Sequence, residues 1–463
     1  MIPPWAIIRG AAKLALWAFA ALIAFVALWF AGNRWLDESP DPHRHAFLVS
    51  AADQLPDSSN IAVGILGLTA PANQDFVQYG AKVKSLYKAN APWADLQRML
   101  DGPNTLKTSA ELQPINCWLD PDGPPMKGCP SFEQAPAFLA EHRELLERFK
   151  QLRQMKAYSS VGIGSNRAYL FATKLAVIEI QIDLRNGHVA LAYRKWRDEV
   201  SFVRNTLRGP DTWVGKAVGL VAIGLSLPVL DSILLADPNL ARQHASELKT
   251  LLKPEGMTGF NPEGIVRTEY LFLRAALESE PQQVGDWPVD RLHWLAYHLG
   301  QKERIYNRYY RFAREYAAVL GLPWPEYVKN VPHLRQTFDD PSNWEVAIDP
   351  FGTLFIADYV RSQLKARELV RQMHYIDGRL MLSTALVQIV AGNISDSAIP
   401  HFLESAAGEI FDPFTGKPIR WNPKERALYF PDPEYPCAMY ALARVPPPAG
   451  LNAPAPRVGD RIC

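Results

Sequence analysis

Apolar and polar positions follow a different rhythm in each part of this chain. From Leu14 to Gly32 there is no rhythm: LALWAFAALIAFVALWFAG runs for 19 residues without a charge. As a helix rising about 1.5 Å per residue it covers about 28 Å, the depth of a bilayer's hydrocarbon. Trp17 and Trp29 stand near its ends, where interfacial aromatics sit. Arg9 and Lys13 precede it, whereas Arg34, Asp37 and Glu38 follow it. The more positive side stays in the cytoplasm, so the pattern predicts a cytoplasmic N-terminus and export of the rest. A cleavable signal peptide needs a shorter apolar run and a small residue before the cut, where Trp29-Phe30-Ala31 offers bulky Trp29. An uncleaved anchor is therefore expected. Ala217 to Leu230 is also apolar, but its 14 residues are interrupted by Ser226 and Pro228 and bracketed by Lys216 and Asp231. That is the length of a core helix.

Beyond the anchor, turn formers punctuate residues 34–130 (Asp41-Pro42, Asp101-Gly102-Pro103, Pro121 to Pro125), which predicts short helices and loops. From residue 131 the period becomes helical. Ser131 and Gln134 have capping-box spacing before a stripe of Phe138, Leu145, Phe149 and Leu152. Residues 167–208 predict a helical hairpin that turns at Asn186-Gly187, with Trp196, Val200, Val203 and Leu207 on one face of its second helix. A second hairpin is expected over 212–253, restarting at Asp237-Pro238. Two units of similar length suggest stacked pairs of the solenoid kind. Further helices are expected at 262–278, 290–320, 350–374, 377–392 and 398–409, with a break at Asp377-Gly378. Lys417 to Trp421 and Ala427 to Phe430 predict a small β-hairpin, followed by a proline-rich tail.

The fold class expected is thus mainly α: an N-terminal transmembrane helix, stacked helical hairpins in a solenoid or TPR-like bundle, and a small C-terminal β-hairpin. The parts are 1–33 for the stub and anchor, 34–130 for the loop-rich segment, 131–409 for the hairpin domain and 410–463 for the hairpin and tail.

Composition adds compartment and excludes partners. Lys+Arg total 49 and Asp+Glu 48, a formal +1, which argues against a nucleic-acid binder. The four cysteines are too few for a disulfide scaffold, and no CxxC spacing supports a metal cluster. In an exported domain, Cys117 and Cys129 can close the turn-rich loop between them, and Cys437 with Cys463 can clip the tail to the body. Each closure stabilises by roughly 3 kcal/mol in the chain-entropy view. The pairing rests on proximity in sequence, and free thiols remain the alternative.

Four stretches, RNGHVALAYRKW, IDPFGTLFIADYVRSQ, HYIDGRLMLSTALVQ and FDPFTGKPIRW, occur in this order between residues 185 and 421. Together they resemble a group of membrane-anchored α-helical periplasmic proteins of Gram-negative bacteria. The resemblance covers about 165 to 430 and implies architecture; the group brings no activity and no site residues with it.

No catalytic motif stands out. Gly162-Ile163-Gly164 lacks the third glycine of a dinucleotide fingerprint, since Arg167 stands there, and Val214-Gly215-Lys216 lacks the rest of a phosphate loop. His293 and His298 are five apart, on different helix faces. His43 and His45 follow the anchor as solvated interface residues. His374 and Asp377, with Asp349 and Asp358 upstream, could form a metal or acid–base site, although a polar helix junction explains them equally. Asp412 to Pro418 predicts a turn feeding the β-hairpin. The best binding candidate is KERIYNRYYRFAREY at 302–316, where Arg304, Arg308 and Arg311 share a stripe and Tyr306 and Tyr310 lie among them. Such an Arg/Tyr surface suits a lipid headgroup, glycan or carboxylate. The same pattern also arises when a helix buries Ile305, Tyr309, Phe312 and Tyr316 and leaves its arginines in water.

The sequence therefore predicts a single-pass inner-membrane protein, held in the lipid bilayer by Leu14 to Gly32, with a periplasmic domain that binds or scaffolds an envelope protein or peptide. No cofactor and no metal are expected. The rivals are an envelope hydrolase using carboxylates that only the fold brings together, and an accessory of secretion or lipid handling.

Overall fold

The computed structural model describes residues 16–25, 27–29, 31–32, 37–48, 55–88, 93–100, 109–119, 129–159, 166–278, 295, 298, 300–431 and 440–446. The protein is mainly helical, with a three-stranded antiparallel sheet towards the C-terminus. Its contacts define two compact units built from separated segments. The larger comprises Ser50–Glu269, Tyr316–Asn330 and Ala366–Cys463; the smaller comprises Met1–Val49, Tyr270–Glu315 and Val331–Lys365.

In the larger unit the Asn166–Arg185 and Val189–Arg208 helices form the hairpin that periodicity predicts. Gly187, at φ 76°, supplies the left-handed residue of its turn. Trp196, Val200, Val203 and Leu207 are buried, and the Trp196 indole donates to the Ser226 carbonyl at 2.8 Å. The second expected hairpin is broken into the Trp213–Ser226, Val229–Ala236, Asn239–Gln243 and Ala245–Leu251 helices. Pro228 causes the first break because it lacks an N–H and crowds the preceding turn. At the second, the Asn239 N–H donates to the Asp237 carboxylate at 3.1 Å, so the acid before Pro238 acts as a cap.

Together, Trp213–Ala236 is long and apolar enough to cross a membrane, yet 56% of its most apolar window is buried against neighbouring helices. Its Lys216 is also buried and donates to the Leu207 and Gly209 carbonyls. A cation there gathers the carbonyls left open at the end of the Val189–Arg208 helix.

The expected break at Asp377-Gly378 is absent: one helix runs from Arg367 to Ala391, and the interruption falls earlier, at Lys365–Ala366. Gly378 is needed for packing. A Cβ there would come within 2.3 Å of the Phe430 ring on the sheet. Asp377 serves another segment, accepting the N–H groups of Glu255 at 2.6 Å and Gly256 at 3.1 Å. The sheet itself contains the expected hairpin, β1 (Arg420–Asn422) with β2 (Ala427–Pro431), in register Trp421↔Leu428. An unexpected β3 (Tyr440–Arg444) pairs with β2 in register Tyr429↔Leu442. Asp412 and Gly416, at φ 69°, shape the predicted turn before it.

Ser131 caps a short 3-10 turn through the Glu133 N–H rather than a full capping box. Behind it Leu145, Phe149 and Leu152 are buried as their stripe predicts. A disulfide joins Cys117 to Cys129 across 12 positions. Cys437, Cys463, His293 and Gly162 to Gly164 lie outside the described residues. Two glycines let the Ile61–Gly67 and Phe76–Lys88 helices touch. A Cβ at Gly67 would meet the Phe76 carbonyl oxygen at 1.7 Å, and one at Gly80 the Val63 oxygen at 2.0 Å.

The smaller unit has an aromatic core on the Lys302–Leu320 helix. Tyr309 meets Tyr270 at 5.7 Å between ring centroids and Tyr359 at 5.5 Å, while Phe312 meets Phe338 at 5.6 Å. The Leu16–Trp29 helix belongs to this unit. Its large apolar side chains are exposed, from Trp29 at 41% to Trp17 at 74%.

Because the obstacle at Gly80 is backbone, it cannot rotate away. Gly80→Ala is expected to destabilise the larger unit by about 2 kcal/mol or more, read as a lower urea midpoint at unchanged slope; an unaltered midpoint would refute the close approach.

Candidate functional site

Among the described residues, two surfaces gather polar chemistry, one in each unit. In the smaller unit, Arg304, Arg308 and Arg311 line one cleft with Glu38, Glu345 and Asp349, around a cavity of about 30 Å³. One helix face brings the three guanidiniums together, at i, i+4 and i+7. Arg308 is 7% exposed, donating to Glu345 at 2.5 Å and to the Phe338 carbonyl at 3.1 Å, while its Nε is buried without a partner. Burial disfavours its charged form; Glu345 opposes that, and the charges of Arg311 and Arg304 add to it. Arg304 lies 3.6 Å from Glu38. Arg311 is exposed and makes no hydrogen bond or ion pair with a described residue.

The expected Arg/Tyr surface needs correcting in one respect. Tyr306 and Tyr310 are 5% and 4% exposed, so neither ring is open to a ligand. Tyr306 packs on Tyr270 and under Arg44, and Tyr310 packs on Phe47. Periodicity correctly places Ile305, Tyr309, Phe312 and Tyr316 inside, but Arg308 joins them there because Glu345 supplies a counter-charge.

The fold does not assemble His374, Asp377, Asp349 and Asp358 into one site. Asp349 caps the Pro350–Leu364 helix, accepting Gly352 N–H at 3.0 Å and Gln301 N–H at 3.1 Å. Asp358 is half-buried beside Arg361. His374 lies in the larger unit between Trp324 and Phe414, with Nε2 unpartnered, and burial lowers its pKa to about 4. Among the described residues no three His, Cys, Asp or Glu are grouped to hold a metal.

The second surface is an open groove of about 680 Å³ in the larger unit. Arg197, Asp198 and Ser201 of the Val189–Arg208 helix form one wall; Gln243, His244 and Glu247 form the other. Glu247 is the hub. It accepts from Tyr193 Oη at 3.0 Å and Arg197 Nη1 at 3.2 Å, and its Oε2 lies 3.1 Å from His244 Nδ1. Burial alone would raise its carboxyl; the Tyr193 hydroxyl, Arg197 and His244 outweigh that and hold it below the usual range. An ionised carboxylate only accepts, so His244 Nδ1 is the donor in this contact. Sequence reading passed over this dyad among dispersed histidines, although i, i+3 spacing was a signal for it.

Beneath the same helix runs a buried charged seam. Glu199 is fully buried against Arg153 at 3.2 Å, and burial, which outweighs Arg153, raises its pKa to about 7. Arg204 and Arg208 clasp Glu255 at 2.5 and 2.8 Å. These are packing devices on present geometry.

Comparison with protein-family models, curated proteins and solved structures gives no match to this chain.

The seam has a measurable consequence. A carboxyl whose pKa rises on folding contributes stability that is complete below its unfolded value and is lost as pH rises through the folded one. For Glu199 that window runs from the ordinary carboxyl value of 4.5 to about 7, worth about 3 kcal/mol. Glu199→Gln should therefore flatten the stability profile between pH 4.5 and pH 8 by about 3 kcal/mol relative to the parent; parallel profiles would show that Glu199 is not charged at a cost.

Proposed function

We propose that this chain is a single-pass inner-membrane protein, anchored by Leu14 to Gly32, whose exported helical body binds a polar protein or peptide partner. The observation that carries the reading is the Leu16–Trp29 helix. Eight large apolar side chains there stand at least 41% exposed, whereas the equally apolar Trp213–Ala236 stretch is mostly buried. Leaving such side chains in water forgoes roughly 1.5–3 kcal/mol each. Lipid is the solvent that removes this penalty. The Cys117–Cys129 disulfide suits an oxidising compartment on the far side of the membrane.

In this reading the four helices over 213–251 are a second, broken repeat stacked on the 166–208 hairpin. The groove follows the seam between the Val189–Arg208 helix and the 239–251 turns, as binding surfaces do between stacked helical repeats. Its walls carry both charges, which favours a polar extended segment over a lipid tail. The His244–Glu247 dyad favours a second reading, an acid–base enzyme in which Asp198 supplies the other carboxylate of the same groove. The two separate on turnover: His244→Gln would abolish catalysis of a groove-bound substrate, but would alter capture by a binding protein only modestly.

The membrane reading is tested first. The tagged full chain should stay in membranes through alkaline carbonate, and external protease should digest its body in spheroplasts. Leu22→Arg with Phe25→Arg, adding about 6 kcal/mol to insertion, should move it to the soluble fraction. Recovery of the unaltered chain as a soluble cytosolic species would end this reading.

A further inference from the structure

The segment after the anchor is fastened along the helix that carries the three arginines. Asp37 accepts the Glu303 and Arg304 N–H groups at 2.9 and 3.0 Å, capping the first turn of the Lys302–Leu320 helix. Asn307 donates to the Ser39 carbonyl at 2.8 Å and accepts from the Asp41 N–H at 3.0 Å. Arg44 pairs with Glu303 at 2.7 Å, and Phe47 packs on Tyr310 with centroids 5.3 Å apart. Residues 37–47 are thus held against positions 303–310, within one unit. Five peptide steps separate Gly32 from Asp37, a span of at most about 18 Å. If the apolar helix lies in a bilayer, the arginine cleft stands at the headgroup surface.

The cleft's acids are already committed. Asp349 holds two backbone N–H groups, Glu345 holds Arg308 and closes its own capping box with Ser342, and Glu38 receives Asn307 at 3.2 Å. What remains unspent is basic: the buried Arg308 Nε and the whole Arg311 guanidinium. Planar guanidinium forks match phosphate oxygens two at a time. The element that supplies Glu345 also presents Trp344 at 72% exposure. An exposed aromatic side chain on an element that lines the arginine cleft is what a protein surface lying on a bilayer interface shows.

We propose that Arg304, Arg308 and Arg311 form a binding site for the phosphodiester headgroup of an anionic phospholipid in the leaflet next to the anchor. The site orients the body on the membrane. This rests on the anchored reading above. Arg308, with its head fixed by Glu345 and Phe338, supplies a preset direction; Arg311 supplies the unpaired charge.

The test uses the full chain in nanodiscs, either of phosphatidylcholine alone or with one-third phosphatidylglycerol, with retained lipid counted by native mass spectrometry. Phosphatidylglycerol should be enriched beside the protein. Arg304→Gln and Arg311→Gln should each reduce the enrichment about fivefold, the factor that about 1 kcal/mol per basic residue at an anionic surface represents. Both residues are at least partly exposed, so folding should survive; an unchanged thermal midpoint checks that. Arg335→Gln, at an exposed arginine of the same unit outside the cleft, should leave the enrichment unaltered. Equal losses with Arg335→Gln would reduce the effect to general surface charge. Displacement of the lipid by 10-millimolar inorganic phosphate (about that concentration) would make this a free-phosphate site. Either result, or no enrichment at all, overturns the proposal. A chain that never enters the discs overturns the anchor instead, so the two failures are distinguishable.

Discussion

A buried cation gathering the open carbonyls at a helix C-terminus is the contact on which the larger unit is assembled. It occurs twice. Arg148, 6% exposed, reaches the carbonyls of Leu68, Ala70 and Pro71 just after the Ile61–Gly67 helix. Lys216, 1% exposed, does the same for Leu207 and Gly209. Helix ends leave carbonyls that must find donors, and a buried end has no water to supply them. Each cation therefore binds one helix to the end of another in a single orientation. Local counter-charges make the burial tolerable: Glu144 pairs with Arg148 at 2.6 Å, and Asp211, itself held by Tyr158, acts on Lys216 through its charge. Losing a partner would leave a buried ion uncompensated, which costs more than forming the pair returns.

This logic explains what was legible in the sequence and what was not. The 166–208 hairpin could be read because its signals are local: one stripe of apolar positions and a glycine whose turn needs positive φ. The β1–β2 hairpin was legible for the same reason. The continuous Arg367–Ala391 helix was not. Asp377-Gly378 looks like a stop, but Gly378 makes room for Phe430 and Asp377 caps residues more than a hundred positions away. Likewise β3 sits between prolines, and only the partner strand 13 or so residues earlier makes it a strand. Tertiary partners decide such cases, and a single sequence does not display them.

The candidate surfaces divide in the same way. The arginine triplet was legible as a stripe, since i, i+4, i+7 spacing is local. That Arg308 is drawn inside while Arg311 stays out was not, because Glu345 and the Phe338 carbonyl come from another part of the chain. The groove in the larger unit was invisible, since its walls come from positions 197–201 and 243–251. Two apolar stretches make the sharpest contrast. Leu16–Trp29 and Trp213–Ala236 are alike in composition, yet one is exposed along its length and the other is mostly buried around a lysine. Hydropathy names both; only packing tells them apart.

The titrations buried in the larger unit oppose one another, and this bears on what its pH response can reveal. His374 is neutral when folded, with pKa near 4, so its contribution is complete above the free value of 6.5 and is lost as pH falls through about 4. Glu199 and Asp377, raised by burial to about 7 and about 6, act the other way and cost stability as pH rises through those values. Between about pH 4.5 and 6.5 the slopes partly cancel. A shallow overall profile would then not mean that the interior lacks ionisable strain. It would mean that a histidine enclosed by aromatic rings and carboxyls held in a charged seam are balanced within one fold, and that removing either side alone exposes the other.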